Sequence, residues 1–262
     1  WLDITLLGEK HIKTNLREVY EICQSFLGTD PVKDFIAVRP AQHYTMGGVR
    51  TDASGHSPTL KGLFSAGEAA CWDMHGFNRL GGNSVAETVV AGMIVGEFIA
   101  DHCESPDGAA DVPTALVREF HARESRQLAA HAARAGPESP FALVREMQQT
   151  MTDNVGIFRS GERLAEVVAQ LQQLLVRSRD VGLRSQARGA NPELVAAYRL
   201  PRMLKLALCV AQGALARTES RGAHFRSDFP VRNDRDWLAR TLATWPDPDA
   251  TLPVLAYEPL DV

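Results

Sequence analysis

Two side chains suited to gripping carboxylates, His43 and Arg79, stand in glycine-rich surroundings: HYTMGGVRTD from His43 to Asp52, and HGFNRLGGNSVAE from His75 to Glu87. A guanidinium binds a carboxylate through two parallel N–H···O bonds, and an imidazole donates one directed hydrogen bond. Taken singly, a histidine is more often structural and an arginine more often half of a surface ion pair. Between them lies GLFSAGEAA (Gly62 to Ala70), an apolar run ending in Gly67-Glu68, the pattern of a short buried parallel strand. In open α/β folds ligands gather at the carboxyl ends of strands, where Glu68 would stand. A carboxylate there can accept hydrogen bonds from ribose or ribityl hydroxyls; the alternative is that Glu68 caps the next turn.

A helix must position the second segment. Ser84-Val85-Ala86-Glu87 fits a capping box, with Ser84 as N-cap and Glu87 reaching back. Val85, Val89, Met93 and the pair Val90/Ile94 continue at helical spacing to Phe98, predicting a helix from Val85 to about Ala100. Gly81, Gly82 and Asn83 precede it, and a helix N-terminus carries a partial positive charge that favours a developing negative one. On capping chemistry alone, an anion site and a tight loop are equally good readings.

Taken together, HYTMGGVRTD, GLFSAGEAA and HGFNRLGGNSVAE resemble the flavoprotein subunit of the fumarate reductase/succinate dehydrogenase family. TESRGAHFRSDFPVRND (Thr218 to Asp234) resembles the C-terminal signature of that family. Phe77 and the Cys71-Trp72-Asp73-Met74 lead-in resemble the di-haem quinol:fumarate reductase branch. The resemblance implies an FAD cofactor and interconversion of fumarate and succinate by hydride transfer at flavin N5. It implies that His43 and Arg79 hold the substrate carboxylates and that Glu68 contacts the sugar-like chain of the flavin. Asn83, Ser84 and the Val85 amide would approach its isoalloxazine or ribityl part, the helix tip stabilising negative charge near N1/O2. The implied partners are an iron–sulfur subunit and, through it, a membrane cytochrome b and quinone, at the cytoplasmic face of the inner membrane. The family's dinucleotide fingerprint, its flavin-linking histidine and its proton-shuttling arginine match nothing here. The expectation is therefore the C-terminal part of a longer polypeptide, one that alone neither holds FAD tightly nor turns over. Two alternatives are an L-aspartate oxidase-like enzyme, against which NRLGGNS and Met46 argue, and a non-catalytic helical interaction module.

The implied fold is an α/β remnant of an FAD-binding, Rossmann-like domain with part of a capping domain, then an antiparallel helical bundle and an irregular tail. The expected boundaries are 1–42 for the end of the capping domain, 43–102 for the flavin domain, 113–220 for the bundle and 221–262 for the extension. Asn15 to Leu27 reads as one amphipathic helix, Phe35 to Val38 as a strand leading through Pro40, and Gly47 to Leu63 as a hairpin turning at Ser54-Gly55. Asp101 to Pro113 reads as a linker. Bundle helices are predicted over Thr114–Ala135, Pro140–Asn154, Gly161–Val181 and Pro192–Thr218, the third with an apolar stripe from Leu164 to Leu175. Val254 to Tyr257 is a candidate strand in the proline-rich tail. The charged run from Arg217 to Asp234 fits a solvated loop and a packing or docking surface equally well.

Composition excludes little beyond nucleic-acid binding: a net charge of -4 provides no general basic footprint. The 4 cysteines are widely spaced, which suits buried thiols and no metal site. No run approaches the roughly 20 consecutive apolar residues of a membrane span.

Overall fold

The computed structural model describes residues 1–39, 41–106, 108, 112–185, 187 and 189–260. The chain divides into two units, Trp1–His43 and Tyr44–Val262. In the first, α1 (Glu9–Asn15) ends at Leu16 (φ -121°, ψ 34°), and the helix predicted over Asn15–Leu27 forms as α2 (Arg17–Ile22) followed by a π-helical turn over Cys23–Leu27. That wider turn alters the spacing of Phe26 and Leu27 relative to Cys23. Ile12 and Cys23 are buried, whereas Phe26 is 82% exposed and Val19 and Leu27 are also exposed. The expected strand at Phe35–Val38 reduces to one bridge, in which Ile36 and Leu2 exchange N–H···O bonds of 2.9 Å. The predicted path through Pro40 lies outside the described residues, as does part of the Asp101–Pro113 linker.

The second unit opens with two short parallel strands, β1 (Val49–Arg50) and β2 (Ala70–Cys71). The hairpin predicted over Gly47–Leu63 does not form. Asp52 Oδ1 accepts from the Ser54 amide and hydroxyl and from the His56 amide, which closes a tight turn before a second strand can pair back. Gly55 packs so closely that a Cβ there would run into Val95. The next arm touches only at the His56–Phe64 bridge. The run from Leu63 to Ala66 therefore does not become the strand expected to end at Glu68. Instead Gly67–Ala69 forms a 3-10 turn and the strand follows it.

Helix α3 (Asn83–Glu104) is longer than predicted, and by length and hydropathy it could cross a membrane, which a count of consecutive apolar residues overlooked. Helices α4 (Thr114–Ala132), α5 (Pro140–Asn154), α6 (Gly161–Arg177) and α7 (Pro192–Ala216) follow, with β3 (Phe158–Arg159) between α5 and α6. Ser139, Ser160 and Asn191 cap the starts of α5, α6 and α7. The whole α6 stripe (Leu164, Val167, Val168, Leu171, Leu174, Leu175) is buried against α5 and α7. On α7, Ala197, Ala207, Ala211 and Ala214 are also buried, small residues that admit close helix approach. Helix α4 buries no residue and meets α7 through the Tyr198 hydroxyl, which donates to Glu124 at 3.0 Å.

Strand β4 (Phe225–Arg226) pairs in parallel with β3, and α8 (Asp234–Trp237) leads into the end of the chain. The tail expected to be irregular is an antiparallel hairpin, β5 (Ala239–Thr244) with β6 (Val254–Pro259). Pro246, Pro248 and Pro253 lie in its connection, where missing N–H groups cost the ladder nothing. Of the 4 cysteines, all free, only Cys23 is buried and Cys103 is exposed.

Candidate functional site

Arg79 lies in the loop between β2 and α3 and is half-buried. Its guanidinium stacks 5.0 Å from the centre of the Tyr44 ring, and Nη1 donates to the Leu80 carbonyl at 3.0 Å. Nε is buried and without a partner, and among the described residues no carboxylate pairs with this arginine. A cation held over an aromatic face with its bidentate edge uncommitted is prepared for an external anion.

Glu87 does not complete a capping box. It is 3% exposed and accepts from Trp72 Nε1 at 3.1 Å and from the Tyr44 hydroxyl at 3.4 Å. The N-cap of α3 is Gly82, at φ 84°, with no side chain bonded to the first amides. Ser84 is the second helical residue, and its carbonyl accepts from Thr88 Oγ1. The reason is backbone geometry: the left-handed turn at Gly82 starts the helix before Ser84 can stand outside it. Asn83 and Ser84 are half-buried and Val85 is 71% exposed, so the helix tip keeps its N–H groups and partial charge unspent on side chains.

Glu68 is exposed, and its Oε1 accepts from the Thr45 amide at 2.8 Å. It thus holds the HYTMGG segment in place. Gly48 in that segment sits where a Cβ would collide with the Ala69 carbonyl, which accounts for the glycine. The edge of the His75 ring meets Tyr44 at 5.3 Å, and His75 Nε2 is buried without a partner. Tyr44, Met46, Trp72, Asp73, His75 and Glu87 border a shallow recess. His43 is the exposed last residue of the first unit, whereas Glu68, Arg79 and the tip of α3 all belong to the second. Sequence reasoning missed Tyr44 and Trp72, and it misread Glu87, because a Ser-x-x-Glu pattern hides a buried carboxylate.

The C-terminal charged run is solvated only in part: Arg217, Glu219, His224 and Arg226 are buried, while Asp228, Arg232 and Asp234 are exposed. Glu219 is fully buried and accepts from Arg217 at 2.6 Å, Arg221 at 2.8 Å and the Asn233 amide at 2.8 Å. Burial pushes its carboxyl up, but Arg221, that amide and Arg217 outweigh burial and hold it below the usual range. Arg217 lies between the rings of Phe77 (4.7 Å) and Trp237 (4.9 Å). Arg226, 2% exposed, donates to the carbonyls of Ala214, Leu215 and Arg217 at the end of α7 and pairs with both oxygens of Asp228. Hydrogen bonding to Arg226 holds the Asp228 carboxyl far below the carboxylate range, and Asp228 also accepts from the Gly161 amide at the start of α6. Burial drives His224 down to about 4. Among the described residues no cluster of three His, Cys, Asp or Glu could hold a metal.

Comparison with known proteins gives this architecture a place. A profile described as FAD binding domain matches residues 1–85, and one described as fumarate reductase flavoprotein C-term matches residues 144–262. The chain is 45% identical to the fumarate reductase flavoprotein subunit of Helicobacter pylori (strain ATCC 700392 / 26695), over 100% of this chain and 40% of that protein. It is 31% identical to the succinate dehydrogenase flavoprotein subunit of Bacillus subtilis, over 100% of this chain and 43% of that protein. An Escherichia coli quinol fumarate reductase chain superposes with a TM-score of 0.92 at 34% identity, covering 99% of this chain and 44% of that one. The chain thus spans less than half the length of these relatives, with both profiles in the order the motifs predict. It belongs to the fumarate reductase/succinate dehydrogenase flavoprotein family.

Proposed function

We propose that this chain supplies the dicarboxylate-binding and flavin-facing part of an enzyme that interconverts fumarate and succinate. The observation that carries the reading is Arg79: half-buried, stacked on Tyr44, without a carboxylate partner among the described residues, and close in sequence to an uncapped helix start. Arg79 grips one carboxylate of the substrate bidentately, and the Tyr44 ring, itself anchored by Glu87, keeps the guanidinium from swinging away. His43 donates a hydrogen bond to the second carboxylate. Binding at two points fixes the C=C or CH₂–CH₂ unit, and such orientation is where much of the rate arises.

The residues fit a flavin. Glu68 keeps an exposed carboxylate for a ribityl hydroxyl while its Oε1 secures Thr45. Asn83, Ser84 and the Val85 amide, at the unspent helix tip, would hold the isoalloxazine or ribityl part and would favour negative charge developing there. FAD, when bound, supplies hydride chemistry at N5. An iron–sulfur subunit and, through it, a membrane cytochrome b and quinone complete the electron path at the cytoplasmic face of the inner membrane.

The test is an assay of the intact flavoprotein with a reduced viologen as donor. Fumarate-dependent oxidation of the dye is expected, with no oxygen-dependent consumption of L-aspartate. Aspartate oxidation without fumarate reduction would overturn the reading in favour of an aspartate oxidase.

A further inference from the structure

The loop that carries His75 and Arg79 begins at Asp73, which is the only non-glycine residue with positive φ (73°) among the described residues. Aspartate tolerates that conformation better than most side chains, but something must hold the turn there. The holder comes from the far end of the chain. Arg240 on β5 binds both oxygens of Asp73, each at 2.6 Å. Arg240 also faces Glu258 across the hairpin, at 2.8 Å. Arg50 on β1 closes the group, 3.7 Å from Asp73 and 3.5 Å from Glu258. Two cations and two anions thus tie the C-terminal hairpin, strand β1 and the start of the loop together.

From Asp73 the chain makes two successive turns, Gly76 N to the Asp73 carbonyl (3.3 Å) and Asn78 N to the His75 carbonyl (3.2 Å), and reaches Arg79. The side chains of Arg240 and Asp73 are 20% and 38% exposed, where an ion pair adds little stability. A bidentate guanidinium–carboxylate pair nevertheless fixes direction as well as distance. We infer that Arg240, acting through Asp73, is a positioning residue that sets the placement of Arg79 for the substrate carboxylate. This rests on the dicarboxylate-binding role given to Arg79 above.

The test is a double-mutant cycle in the holoenzyme, reading kcat and KM for fumarate. Arg240→Ala and Asp73→Asn, the latter keeping a residue that accepts positive φ, are each expected to lower kcat/KM about tenfold, mainly through KM, with the melting temperature nearly unchanged. Arg240→Lys restores little, because an ammonium cannot make the two-point contact. In an Arg79→Ala background, Arg240→Ala is expected to cost less than about twofold more, since the group it positions is gone. A full further loss in that background would mark Arg240 as merely structural and overturn the inference. So would a normal KM in both single variants while Arg79→Ala is impaired. Near-normal kinetics in Arg79→Ala itself would overturn the dicarboxylate reading and this inference with it.

Discussion

Ala223 donates its backbone N–H to the carbonyl of Phe77 at 2.9 Å. The bond joins the turn of the C-terminal charged segment to the loop that presents Arg79, two residues beyond Phe77. Gly222 makes the approach possible, because a Cβ there would press on the Phe77 backbone. Arg217, stacked on the Phe77 ring, adds a second tie at the same place. The signature far along the chain is therefore part of the scaffold of the site.

Glu219 is the hub of that scaffold. Replacing it with alanine leaves the buried Arg217 without its carboxylate and the Asn233 amide without its acceptor, and a broken buried pair costs about 3–5 kcal/mol. Denaturant unfolding of the full chain is expected to show a loss of that size. A change below about 1 kcal/mol, the range of exposed pairs, would return the segment to the status of a solvated loop.

His224 gives the fold an acid-sensitive element. Burial, with Arg159, Arg217 and Arg226 as cationic neighbours, lowers it from 6.5 to about 4, while its hydrogen bond to the Arg217 carbonyl pulls the other way. The unfolded chain binds the proton first as pH falls, so the stability this group contributes is complete above pH 6.5 and is lost between 6.5 and about 4. The whole effect is about 3 kcal/mol, from 1.36 kcal/mol per unit of pKa. Unfolding free energies measured across that window should fall with acidity in the wild type and much less in His224→Gln. Equal slopes would show that other groups carry the effect.

At the start of α3 the two readings of the cap separate cleanly. Ser84→Ala is expected to change stability by less than about 0.5 kcal/mol, as for a site without a capping bond, whereas loss of a true N-cap costs about 1 kcal/mol. Gly82→Ala is expected to cost about 1–2 kcal/mol through its left-handed backbone alone, since nothing crowds a Cβ there. The reverse order in thermal unfolding would reinstate Ser84 as the cap.

Legibility in the sequence followed the range of the forces involved. The α6 stripe was readable because helical periodicity is local, and Pro140, Gly161 and Pro192 marked true helix starts. The hairpin at Gly47–Leu63 was misread because its alternation is real while its partner, β2, pairs in parallel from further along the chain. Glu87 matched a local capping pattern, yet Tyr44 and Trp72 claim it through tertiary contacts. The Arg217–Asp234 run has the composition of a surface, and only the fold shows Glu219 and Arg226 enclosed. The contact of Arg79 with the Tyr44 ring, between residues far apart in the chain, was not legible.

The proposed role of Arg79 is to grip a dicarboxylate. The most direct measurement is a titration of succinate into the oxidised holoenzyme, followed by the perturbation of flavin absorbance, for the wild type and Arg79→Ala. Truncating one side of a hydrogen-bonded charge pair costs several kcal/mol, so affinity is expected to weaken about a hundredfold or more in the variant. Binding within about threefold of the wild type, an energy difference under 1 kcal/mol, would contradict the assignment.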